Sequence, residues 1–73
     1  MLERLKNIFS EYVKVEEFTP EMVLASDLKV TSFDMISILM DIEEEFGLTI
    51  HDRDSSKFLT VGDIISYLEE NSK

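Results

Sequence analysis

Apolar side chains recur along this 73-residue chain at the spacing of helices. The first set occupies positions i, i+3, i+4 and i+7 of one helix face and consists of Leu5, Ile8, Phe9 and Tyr12. This set predicts a first helix over roughly 2–15. Thr19, Pro20 and Glu21 then combine a capping residue, a helix-start proline and a first-turn acid. They indicate a short helical turn or a structured loop within a linker that runs to about Val30.

A second helix is expected to begin near Thr31, because Thr31 and Asp34 have the spacing of a capping box. Its apolar stripe is Ile36, Leu39, Ile42 and Phe46, broadened by Met35, Ile38 and Met40. Gly47 follows as the residue just past the helix end, where a positive φ costs glycine little.

The last helix is signalled in the same way. Thr60 and Asp63 repeat the capping spacing, and the apolar positions Val61, Ile64, Ile65 and Leu68 carry the helix to about Asn71. A weak helical turn is expected between 52 and 58. The pattern therefore predicts an all-α fold with one domain over 1–73, a small bundle of three main helices and one short helix.

Charge narrows the range of partners. Sixteen acids face seven bases, and the net charge is −9. Nucleic acid would be repelled, whereas basic protein surfaces would be attracted, and the charge favours a monomer. Between 30 and 51 no Lys or Arg occurs, and the acids there are Asp34, Asp41, Glu43, Glu44 and Glu45. This run is either a solvated face or a docking surface.

Composition also bears on location. The chain contains no cysteine, so disulfides and thiolate metal sites are excluded, as is usual in a reducing cytoplasm. No apolar run approaches the roughly 18 residues that span a bilayer, and the N-terminus lacks a signal-peptide core. We therefore expect a cytoplasmic protein without membrane insertion.

The stretch from Asp27 to Ile36, followed by the acidic run ending at Gly47, resembles the acyl carrier protein family, whose signature is Asp-Ser-Leu at the start of its second helix. The triplet here is Thr31-Ser32-Phe33, and the segment 60–64 also resembles the opening of the family's last helix. The resemblance implies that Ser32 is the attachment point of 4'-phosphopantetheine, transferred from coenzyme A. Thr31 replaces the usual Asp, and Phe33 replaces the usual Leu.

The resemblance further implies the partners. The partners would be a phosphopantetheinyl transferase and enzymes that load and process acyl groups. Basic patches on these enzymes would bind the acids Asp34, Asp41, Glu43 and Glu44 of this chain. An acyl chain would lie between the second and third helices, and the candidates to line that space are Phe33, Ile36, Met40, Phe46, Ile50 and Phe58. The plainer interpretation of these apolar residues is an ordinary core.

Other functions fit the residues less well. His51 and Asp52 form no nucleophile–base set, so no enzyme is expected. A calcium loop would use Asp52, Asp54, Ser56 and Asp63, but Lys57 stands where that loop requires glycine, so no metal site is expected. A non-covalent acidic adaptor remains an alternative, in which Ser32 is merely a helix-start residue. A stand-alone aminoacyl or peptidyl carrier is another.

Overall fold

The computed structural model describes residues 2–71. Within this range the chain forms four helices: α1 (Leu2–Phe9), α2 (Ser32–Phe46), α3 (Asp52–Ser55) and α4 (Val61–Asn71). The predicted all-α bundle of three main helices and one short one is therefore confirmed. No helix in the described range is both long and apolar enough to cross a membrane.

Helix α1 is shorter than its apolar pattern predicts, so the expected extent of 2–15 is wrong. The helix ends at Phe9, and the backbone then tightens to i→i+3 bonds, with the Tyr12 N–H donating to the Phe9 carbonyl at 3.0 Å. Tyr12, Val13 and Val15 are weak helix formers, and the Tyr12 hydroxyl donates to Asp41 on α2 at 2.5 Å. A contact between elements therefore decides the course of the chain here.

Helix α2 begins and ends where the sequence predicts. The Thr31 hydroxyl accepts the Asp34 N–H at 3.1 Å, with Thr31 itself in an extended conformation. At the other end Gly47 adopts a left-handed conformation, with φ of 67°, and its N–H bonds the Glu43 carbonyl at 2.9 Å. Both ends are thus fixed by local hydrogen bonds.

Helix α4 also begins as predicted, with a reciprocal cap. The Asp63 N–H donates to the Thr60 hydroxyl at 3.2 Å, and the Asp63 carboxylate accepts the N–H of Leu59 at 2.9 Å and that of Thr60 at 3.0 Å. These two bonds, that from Leu59 first, lower the pKa of the Asp63 carboxyl.

The core lies where α1, α2 and α4 meet under the linker between α1 and α2. Its buried side chains are Leu5, Phe9, Phe18, Leu24, Leu28, Ile38, Ile42, Ile50, Val61, Ile64 and Leu68. The rings of Phe9 and Phe18 pack with their centroids 5.3 Å apart. Burial of these core side chains is the main source of stability in a chain without disulfides.

An ion pair joins α1 to the C-terminal end of α2. Two nitrogens of Arg4 donate to Glu45 Oε2 at 2.7 and 2.9 Å, and the guanidinium lies over the Phe46 ring, 4.4 Å from its centroid. The pair is exposed, so it positions the two helices more than it stabilises them.

The linker is tied to the start of α4 by backbone hydrogen bonds. Leu24 N–H donates to the Leu59 carbonyl at 2.9 Å, Val61 N–H to Met22 at 3.0 Å and Gly62 N–H to Pro20 at 2.8 Å. We call this set of bonds the backbone bracket. A Cβ at Gly62 would lie 3.0 Å from the Pro20 oxygen, so glycine is what lets the two segments approach so closely.

Just before α2 the chain passes through a strained residue. Lys29 has a φ of 56°, in the left-handed region, and this turn brings the Val30 N–H to the Leu24 carbonyl at 3.0 Å. A residue with a Cβ is strained in this conformation, whereas glycine adopts it freely.

Replacing Lys29 by glycine should therefore stabilise the fold. We expect Lys29→Gly to raise the free energy of unfolding by about 0.5–1 kcal/mol, the relief of strain less the entropy cost of glycine. Urea unfolding measures the change. Lys29→Ala is the matched control, since it removes the same charge and keeps the Cβ; an equal gain in that variant would contradict strain as the cause.

The cap at Asp63 should make stability depend on pH. The folded-state pKa of Asp63 is lowered from its ordinary value of 3.8, so its contribution is present above that pH and is lost as the pH falls through the folded-state pKa. Asp63→Asn keeps an oxygen acceptor but no charge. The difference in unfolding free energy between the two proteins should be larger at pH 7 than at pH 3. A difference independent of pH would rule out the charge.

Candidate functional site

Ser32 is the first residue of α2 and is exposed to solvent. The capping bond is made by the neighbouring Thr31 hydroxyl, so the helix does not need the Ser32 hydroxyl for its own start. At this position the oxygen lies beside the unpaired N–H groups and the positive end of the helix dipole. The arrangement fits a phosphodiester at Ser32, because a negative charge is stabilised there.

A shallow groove of about 170 Å³ opens beside Ser32. It is lined by Ser32 and Thr31 together with apolar side chains, namely Val23, Leu24, Ala25, Val30, Met35, Phe58 and Leu59. The backbone bracket forms one wall, and Met35 of α2 with Phe58 forms another. The groove offers an apolar surface to the nearest part of any group attached to Ser32.

Three of the six side chains expected to line an acyl space lie on the outside of the bundle instead. Phe33 is 78% exposed, Ile36 61% and Met40 63%. At 100° per residue they lie within an arc of about 60°. We call these three residues the α2 stripe. They do not line an interior space in this structure, because the opposite face, with Ile38 and Ile42, is the one packed into the core.

The other three candidates lie further inside, in different surroundings. Ile50 is buried in the core, and Phe46 is half-buried beneath Arg4. Phe58 packs edge-on against Tyr67, with centroids 5.5 Å apart, and it alone of the three lines the groove beside Ser32. The structure therefore does not gather the six residues around one space.

The acids of α2 divide into two groups. Asp41 accepts the Tyr12 hydroxyl at 2.5 Å, a bond that raises the pKa of Tyr12 to about 12, and Glu43 accepts the Ile50 N–H at 2.6 Å. Glu45 holds Arg4, as described above. Glu44 is exposed and lies one turn beyond Met40 on the face of the α2 stripe, and Asp34 is half-buried on the flank.

These contacts distinguish Asp34, Asp41 and Glu44, three of the acids expected to meet basic patches of partner enzymes. Of the three, Glu44 points outward, whereas Asp41 is directed to Tyr12. The structural roles of Asp41 and Glu43 depend on partners 29 and 7 residues away, so no pattern within the helix signals them.

Two residues of the calcium loop considered above, Asp54 and Asp63, make hydrogen bonds within the fold. Asp54 accepts the Tyr67 hydroxyl at 3.2 Å, and Asp63 caps α4. Within residues 2–71 no three His, Asp or Glu side chains are grouped so that they could hold a metal ion.

Similarity to known proteins extends over most of the chain. A family model described as a phosphopantetheine attachment site matches residues 3–68. An acyl carrier protein from Thermotoga maritima is 44% identical over 69 residues, covering 92% of this chain and 85% of that one. Another from Helicobacter pylori is 33% identical over 73 residues, covering 97% and 94%.

The fold agrees as well. The structure of an acyl carrier protein from Enterococcus faecalis superposes with a TM-score of 0.83 at 30% identity, covering 97% of this chain and 92% of that one. The likeness in sequence and in structure extends over nearly the whole chain, and the matched range 3–68 includes α2. The chain belongs to the acyl carrier protein family, whose members carry a phosphopantetheine group.

Proposed function

We propose that this protein carries acyl intermediates on a 4'-phosphopantetheine arm attached to Ser32, and passes them between enzymes of fatty acid biosynthesis or of a related polyketide or specialised lipid route. The observation that supports the attachment site is the exposed position of Ser32 as the first residue of α2, with capping left to Thr31. The protein itself catalyses nothing in this proposal.

The chemistry at Ser32 is a phosphoryl transfer performed by a transferase. The bond from Ser32 Oγ to the phosphorus of the pantetheine phosphate forms as the pyrophosphate bond of coenzyme A breaks. Adenosine 3',5'-bisphosphate leaves, and the hydroxyl proton passes to a base of the transferase. When bound, the arm supplies a terminal thiol that holds the acyl group as a thioester. The N-terminus of α2 stabilises the phosphodiester charge. The groove beside Ser32 offers an apolar surface to the part of the arm nearest the phosphodiester.

Partner enzymes would dock on the exposed face of α2. The α2 stripe is apolar and begins beside Ser32, and Glu44 follows it along the same face. A partner surface with an apolar depression bordered by Lys or Arg is complementary to this arrangement. Asp34 and Glu44 are available to such bases, whereas Asp41 and Glu43 are held by contacts within the bundle and contribute mainly to the field.

The net charge of −9 supports brief, steered encounters. Each exposed ion pair with a partner is weak, so charge affects the rate of association more than the lifetime of the complex. This behaviour suits a shuttle that meets several enzymes in turn. We expect the carrier to act as a monomer in the cytoplasm.

The attachment site is tested by mass spectrometry. After incubation with coenzyme A and a broad-specificity phosphopantetheinyl transferase, the protein should gain one phosphopantetheinyl group, and Ser32→Ala should gain none. Ser37→Ala, which removes another serine hydroxyl of α2, is the control that should still be modified. A wild-type protein left unmodified, while a known carrier reacts, would favour a non-covalent adaptor instead.

The docking face is tested by the kinetics of the same transferase. Phe33→Ser should lower kcat/KM about fivefold, because it removes one apolar contact worth about 1 kcal/mol. The loss should be the same at low and at high salt, since no charge changes. Glu44→Lys should lower it mainly at low salt, because charge acts through steering.

Glu69→Lys on α4 is the matched control for Glu44, since it changes the net charge equally at another exposed position. An equal loss in Glu69→Lys would show that only total charge matters. Unchanged kinetics in Phe33→Ser would remove the α2 stripe from the interface.

A further inference from the structure

The composition leaves one class of side chain that mild peroxide oxidises. The chain has no cysteine and no tryptophan, but it has four methionines. Their thioether sulfurs accept an oxygen atom to form the sulfoxide, a step that methionine sulfoxide reductases reverse. In the unmodified protein, the site of oxidation therefore depends on which methionine is accessible to peroxide.

The methionines that the structure describes differ in exposure. Met22 is half-buried, and its Sδ accepts the Thr19 N–H at 3.3 Å. Met35 is half-buried and packs against the core. Met40 is 63% exposed and lies on the α2 stripe with Phe33 and Ile36.

From this contrast we propose that Met40 is a reversible oxidation site that switches docking on α2. Its role as a switch rests on the docking face proposed above, whereas the preference for Met40 does not. In the forward step a lone pair of Met40 Sδ attacks one oxygen of hydrogen peroxide, the O–O bond breaks and water leaves. The sulfide is oxidised and the peroxide is reduced. In the reverse step a methionine sulfoxide reductase reduces the sulfoxide to the sulfide, two thiols are oxidised to a disulfide and the oxygen leaves as water.

The sulfoxide changes the docking face without disturbing the core. Met40 is outside the buried set, so an oxygen there demands no repacking of Ile38 or Ile42. It does place a strong hydrogen-bond acceptor between the apolar Phe33–Ile36 end of the α2 stripe and Glu44. A partner would have to bury this oxygen in an apolar depression without a donor, which is costly.

The site preference is measured on the unmodified protein. Dilute hydrogen peroxide is added, the reaction is stopped with catalase at intervals, and the peptides are mapped by mass spectrometry. Met40 should be oxidised several-fold faster than Met22 and Met35. In urea, where the fold no longer shields the sulfurs, the three rates should converge. Equal rates in the folded protein, or faster oxidation of Met22 or Met35, would overturn the proposal.

The effect on docking is measured with the transferase and coenzyme A, after catalase has removed the peroxide. Each protein is compared with its own untreated sample. Oxidation should lower kcat/KM about fivefold in the wild type and in Met22→Leu, and treatment with reductase should restore it. Met40→Leu should show no loss on peroxide treatment.

Two further readings separate the possible failures. The unfolding midpoint in urea should be the same for the oxidised and untreated wild type; a fall in the midpoint that matches the kinetic loss would overturn the switch in favour of simple damage. Peroxide sensitivity retained by Met40→Leu would overturn it as well. A wild type that is never modified at Ser32 would refute the carrier function, while the peptide map still decides the oxidation site.

Discussion

The hydrogen bond from the Asp34 N–H to the Thr31 hydroxyl sets the start of α2, and the arrangement of the site follows from it. Because Thr31 is the cap, the next residue falls in the first turn, outside the core and beside unpaired N–H groups. Had the helix begun one residue later, Ser32 would itself have been the capping residue and its hydroxyl would have been occupied. Packing of α2 against the other helices turns Ile38 and Ile42 to the core and leaves the α2 stripe facing solvent.

The acids of α2 serve the fold as well as the surface. Glu43 receives the N–H of Ile50, which holds the segment after Gly47 against the helix, and Asp41 receives Tyr12 from the linker. Glu45 joins α1 through Arg4. The high negative charge is thus partly used to attach irregular segments to the central helix. Fewer acids of α2 are therefore free to contact partners than the sequence suggests. Glu44, which is exposed, lies next to the apolar side chains of the α2 stripe.

The sequence predicts the local features of this structure well. The caps at Thr31 and Thr60, the end at Gly47 and the approximate range of α4 all depend on residues within a few positions of one another. The face of α2 was not predictable in this way. Six of the eight residues in 35–42 are apolar, so the periodicity is weak and the outward position of Ile36 and Met40 is decided by packing with the other helices. The early end of α1 likewise depends on Tyr12 meeting Asp41, which is distant in sequence.

The backbone bracket between the linker and the start of α4 has a consequence for how this carrier could diversify. Its bonds join main-chain atoms of Pro20, Met22 and Leu24 to those of Leu59, Val61 and Gly62, so that wall of the groove keeps its position whatever side chains stand on it. Val23 and Leu59 project from this scaffold into an exposed setting. Replacing Val23 or Leu59 alters the groove surface beside Ser32. Such replacements cost little folding stability, because both side chains are exposed. Substitution at these two exposed positions can therefore change the surface beside Ser32 while the backbone bracket stays intact.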